Sequence, residues 1–197
     1  MGKRRFCLIR QSCFGKECLP GASPRLLMER EEIMGNLRSK KIGVKHFGRT
    51  IDVTDPCHNK DVWCRLNDVK IKEGDYTCRI WRERVVYEWD GKERVSHVVR
   101  IIGIYFNDVV PRRDRMEYIG EIGVDAGLAG FFENKPDYTE QEWKAFCDFV
   151  YPKGKEYKEA WIRPEGFFSV SGDGDGCYPV LAAKGKDGEV VALEIHF

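Results

Sequence analysis

The sequence predicts a mainly β protein, with antiparallel sheets in a sandwich-like arrangement and one packed helix near 139–151; an α+β fold is the alternative. Three observations predict it. Most apolar runs after residue 40 alternate with period two and are rich in β-branched and aromatic residues. Two Asp-Gly pairs sit between such runs: Asp90-Gly91, which favours a type I′ hairpin turn because both central residues need positive φ, and Asp187-Gly188, which repeats the hairpin pattern. A single segment carries a helical period together with a start signal.

Taken in order, "KKIGVKHFGRTIDVTD" reads as two short strands around Gly48, and 59–66 as a helical turn. The hairpin signal is strongest in "TCRIWRERVVYEW", "DG" and "KERVSHVVRIIGIYF". In its first strand Trp81, Val85, Tyr87 and Trp89 share one parity and are expected to face the core, with Arg82, Arg84 and Glu88 in solvent. "MEYIGEIGVDAG" and "AGFF" read as a strand pair. Thr139 caps the helix with Glu142 as its capping-box partner, and Trp143, Phe146, Cys147 and Val150 form the apolar face. The chain closes on the hairpin "YPVLAAKGKDGEVVALEIHF". In its last strand Val191, Leu193, Ile195 and Phe197 share one face, and Ala192, Glu194 and His196 the other.

Residues 34–197 read as one β-rich domain. Residues 1–33 differ: seven basic and four acidic residues, three cysteines and two prolines, without a period. They read as a poorly structured extension, either an over-extended gene start with translation from Met34, or a helical extension at "SPRLLMEREEIM".

Composition excludes several classes. With 33 basic against 32 acidic residues, the net charge of +1 leaves no electrostatic footprint for nucleic acid or an anionic membrane. No apolar run reaches the roughly 20 residues needed to span a bilayer. The apolar stretch at Phe6–Ile9 is too short for a secretory signal core of about 7–15 residues. The eight cysteines then read as reduced thiols, and the expected setting is a bacterial cytoplasm.

Chemistry concentrates in two glycine–aspartate stretches. "SGDGDGCYPV" (171–180) fails as an EF-hand loop, because Cys177, Tyr178 and Lys184 occupy the fifth, sixth and twelfth positions counted from Asp173. It also lacks the Gly-Lys-Ser/Thr of a P-loop. A turn shaped by positive φ at Gly172, Gly174 and Gly176 remains, entering the last hairpin on the same side as the turn of "VDAG" (124–127). Candidate ligand-binding residues are Asp125, Gly127, Asp173, Gly174, Asp175, Gly176 and Tyr178. Asp125, Asp173 and Asp175 would be the ligands if a divalent cation binds. Cys57, His58 and Cys64 form a weaker candidate zinc set, since structural zinc favours C-x2–4-C pairs. No G-x-S-x-G or H-E-x-x-H pattern occurs.

"VDAGLAGFF" (124–132) together with "SGDGDGCYPVLAAKGKDGEVVALEIHF" (171–197) resembles a bacterial family of uncharacterised cytosolic proteins with a Val-Asp-Ala/Ser-Gly motif and a C-terminal Gly-Asp-Gly-x-Tyr-Pro motif. "DPCHNKDVWC" and "KEGDYTC" are similar to its upstream half. The resemblance covers 34–197 and implies a β-rich fold, with Asp125, Gly127, Gly174, Asp175, Gly176, Tyr178 and Pro179 shared; it implies no activity. The expected function is a non-catalytic binding or interaction module that uses exposed Gly-Asp loops to hold a protein or small-molecule partner, with no cofactor. The alternative is a metal-dependent hydrolase or metal-binding enzyme with clustered aspartates.

Overall fold

The computed structural model describes residues 37–133, 135–154 and 158–197; the 1–33 extension lies outside the described residues. Eleven strands form two antiparallel sheets. The six-stranded sheet joins β1 (Leu37–Phe47), β4 (Gly74–Trp89), β5 (Lys92–Phe106), β11 (Val190–His196), β10 (Gly176–Lys184) and β6 (Glu117–Val124), in that order. The five-stranded sheet joins β3 (Leu66–Lys70), β2 (Thr50–Thr54), β7 (Leu128–Phe132), β9 (Gly166–Val170) and β8 (Ala160–Arg163). Among the described residues the fold is mainly β with one α-helix, as the alternation and the single helical period predict.

The sheets pack face to face over a core that includes Ile51, Val53, Ile80, Ile102, Ile104, Phe131, Phe167, Leu193 and Ile195. Helix α1 (Glu140–Val150) covers the outer face of the smaller sheet. Thr139 and Glu142 close the expected capping box, and Phe146 and Val150 bury against Leu128, Phe132, Trp161 and Phe168. This explains why β7 is buried throughout: Ala129 and Phe131 face the sandwich core, while Leu128 and Phe132 face the helix.

Four sequence expectations are corrected. The stretch 59–66 is a single turn, with Val62 N–H donating to the Asn59 carbonyl, followed at once by β3. β6 and β7 are not paired with each other; β6 lies beside β10, and β7 lies between β2 and β9. The outer half of the β4–β5 hairpin is not a core face. β1 reaches β4 only as far as Glu83, and β11 pairs with β5 only over 101–105. Arg84–Trp89 and Lys92–Val98 therefore form a projecting two-stranded ribbon among the described residues, with Tyr87 44% and Trp89 66% exposed. Finally, only Gly174 of the three loop glycines has positive φ, at +87°.

Connectivity gives the glycine–aspartate stretches their place. Residues 125–127 carry the chain from β6 in the larger sheet to β7 in the smaller one, and residues 171–175 carry it back from β9 to β10. The two crossovers lie side by side: Ser171 N–H donates to the Gly127 carbonyl at 2.9 Å.

Candidate functional site

The β2–β3 loop, residues 55–65, packs beside these crossovers, and buried polar groups fix it there. Asp55 is completely buried. Its Oδ1 accepts the Cys57 N–H at 2.8 Å, and its Oδ2 accepts the N–H groups of Asp125 (2.9 Å) and Ala126 (2.7 Å). One carboxylate thus ties its own turn to the 125–127 crossover, an Asx bond extended to a second loop. Burial raises the Asp55 pKa, against the opposing pull of the Cys57 and Ala126 N–H groups.

A second pair holds the far end of the loop. Arg65 pairs with Asp52 at 2.7 Å and donates to the His58 carbonyl at 2.9 Å. β6 accepts the loop because Gly123 lacks a side chain: a Cβ there would lie 2.8 Å from Cys64 Sγ. Gly123 N–H also donates to the Cys64 carbonyl at 2.8 Å.

Between these anchors, Cys64 Sγ lies 3.7 Å from His58 Nδ1, and His58 Nε2 lies 3.0 Å from Asp125 Oδ2. A thiol, imidazole and carboxylate in line is the order of groups that activates a sulfur nucleophile. Here the thiol end is closed: Cys64 is 5% and His58 4% exposed, whereas the Asp125 side chain is 38% exposed. Burial pulls the His58 pKa down, but its bonds to Cys64 and Asp125 and the nearby Asp55 carboxyl outweigh burial and raise it to about 9. Burial also pushes the Cys57 thiol up, reinforced by Asp55. Cys57, Cys64 and Cys78 are free thiols.

The structure brings the predicted turns together without gathering their carboxylates. Asp175 accepts the Gly127 N–H at 3.2 Å, across the two crossovers. Asp173 instead pairs with Arg100 at 2.5 Å, and Asp125 pairs with His58. Among the described residues, no three His, Cys, Asp or Glu side chains are arranged to hold a metal ion. Tyr178 is 8% exposed; its hydroxyl donates to the Gly174 carbonyl at 2.9 Å and its ring packs on Phe197. It shapes the turn from below and offers no contact surface. Gly172 matters for space: a Cβ there would lie 2.0 Å from the Val99 carbonyl oxygen. Gly127 and Gly174, with φ of +64° and +87°, have open space beside them.

Sequence reasoning missed Asp55, Asp52 and Arg65; the only trace was "TDPCHNKDVWCR", a polar stretch too short for a loop without internal bonding. It also missed a cluster on the outer face of the larger sheet. Glu194, 1% exposed, accepts the Tyr105 hydroxyl at 2.6 Å, lies 2.7 Å from His196 Nε2, and pairs with Arg113. Despite its burial, these partners hold the Glu194 carboxyl below the usual range. Gly103, opposite Glu194, leaves room for the Tyr105 ring to fold back and reach it.

Among the described residues, the fold and the site together define a β-sandwich with one α-helix, whose loop end is locked by buried polar groups. Compared with protein-family models, curated proteins and solved structures, the chain finds no match. No helix of the described residues is long and apolar enough to cross a membrane.

Proposed function

We propose that the chain is a non-catalytic binding module whose Gly-Asp crossovers recognise a cationic segment of a partner. The observation that carries this reading is the bond between Asp175 and Gly127 N–H, which joins both turns into one surface. That surface presents the carboxylates of Asp125, Asp173 and Asp175 toward solvent. Beneath it, Asp55 and Arg65 hold the backbone in place, so a partner meets a surface that needs little ordering. The neighbouring loop adds Trp63, 68% exposed, an aromatic of the type that stacks with cationic groups. The buried thiol of Cys64 favours a locking role over a nucleophilic one. The likeness to the uncharacterised bacterial family, and a bacterial cytoplasm as the setting, belong to the same proposal and rest on the motifs and cysteine usage.

The metal reading has less support, because among the described residues no three His, Cys, Asp or Glu side chains are arranged to hold a metal ion. Calorimetric melting with calcium, magnesium, manganese and zinc tests it: a saturable rise in Tm, lost in Asp175→Asn, would restore it. The binding reading is tested with dye-labelled tetralysine, tetraarginine and tetraglutamate peptides followed by fluorescence anisotropy. The basic peptides should bind, more weakly as salt rises and more weakly to Asp173→Asn and Asp175→Asn. Equal binding of tetraglutamate would contradict the proposal.

A further inference from the structure

Away from the crossover surface, a polar cavity of about 220 Å³ opens beside the β2–β3 loop, lined by Thr50, Ile51, Asp52, Lys60, Asp68 and Lys135. Its cations are short of acceptors. Lys135 is 5% exposed, yet among the described residues its ammonium group pairs with no carboxylate. It donates to the Pro136 carbonyl at 2.9 Å and lies 4.7 Å from the centre of the Tyr138 ring. Burial, followed by the nearby charge of Arg65, lowers its pKa to about 8.

Asp52 does not answer this charge, because its oxygens are taken by Arg65 at 2.7 Å and by the Asp68 N–H at 3.0 Å. Behind Asp52, the Arg65 side chain is wholly buried, and its Nε has no acceptor among the described residues. Around the cavity, Lys60 and Lys135 face Asp52 and Asp68, and Asp137, which accepts the Lys60 backbone N–H at 2.8 Å, adds a third carboxylate nearby; among the described residues none of the three forms an ion pair with either ammonium group. A buried cation without a counter-ion is costly, and an anion beside it recovers that cost.

We propose that this cavity binds a small oxyanion, a carboxylate or phosphate group, seated between Lys60 and Lys135. At about 30 Å³ per water, the volume holds roughly seven waters, enough for the acid group and a short polar remainder. Asp68 and Thr50 add an acceptor and a hydroxyl to the wall, which suits a ligand with hydroxyl or amino groups beside its acid. The site uses none of the three crossover carboxylates and stands independently of the partner-binding surface.

Titration calorimetry of the full chain, with phosphate and acetate as probes and chloride at matched ionic strength as control, tests the proposal. Nitrogen-15 spectra recorded alongside should shift at Lys60, Asp68 and Lys135. Saturable binding should weaken about tenfold in Lys60→Met, where an exposed charge-assisted contact is lost and the fold is untouched. Lys135→Met, checked by circular dichroism, should show the same loss. Heats no larger than those of chloride, or a Kd unchanged in Lys60→Met, would overturn the site.

Discussion

Gly172 and Gly174 stand two residues apart for different physical reasons. At Gly172 the Val99 carbonyl leaves no room for a Cβ, so Gly172→Ala should cost about 2–3 kcal/mol in urea unfolding. At Gly174 space is open and only the left-handed backbone resists, so Gly174→Ala should cost roughly 1 kcal/mol. Reversal of that order would mean the crossovers do not pass as closely as described. Asp55→Ala removes the acceptor of three backbone N–H groups and should cost about 3 kcal/mol, more than any other single loop carboxylate. His58 adds a pH dependence of defined sign. Its pKa rises on folding from 6.5 to about 9, so its contribution is fully present below pH 6.5 and fades as pH rises through 9. Unfolding midpoints should therefore fall across that window in the wild type, and the fall should shrink in His58→Gln.

Among the elements, the β4–β5 hairpin divides into a half held by neighbouring strands and a half that projects. Asp90 and Gly91, with φ of +55° and +67°, form the turn that the Asp-Gly pair predicts. Trp89 beside them is 66% exposed, so Trp89→Ala should change stability by less than about 0.5 kcal/mol. Trp161, on β8 and 6% exposed in the cluster shared with α1, should cost about 3 kcal/mol on the same change. Alternation alone could not separate these two tryptophans, because period fixes which side a residue faces and not whether anything lies opposite. The capping box, both Asp-Gly hairpins and the two faces of β11 from Ala192 on were legible for the converse reason: each depends on neighbours within a few residues; a bulge at Val191 puts Val190 against the core in its place. β8 and β9 went unread because "AWIR" and "GFFSV" are short, and their strand character comes from pairing, β9 with β7 and β8 with β9.

At the scale of the molecule, both Gly-Asp stretches are crossovers between sheets at one end of the sandwich, which answers why glycine and aspartate recur in each. The sequence placed them at strand ends on a common side. It could not show that Asp125 turns to His58 and Asp173 to Arg100, since those partners are 67 and 73 residues away. Nor could it show the buried bonds of Asp55, which tie the β2–β3 loop to the 125–127 crossover. On the proposed reading, the crossover surface is where a partner binds. The most direct measurement is a nitrogen-15 titration of the full chain with tetralysine peptide. Saturable shifts confined to residues 57–65, 123–127 and 171–177 are expected. Saturable shifts centred on the projecting ribbon at 84–98, or none at the crossovers, would contradict it.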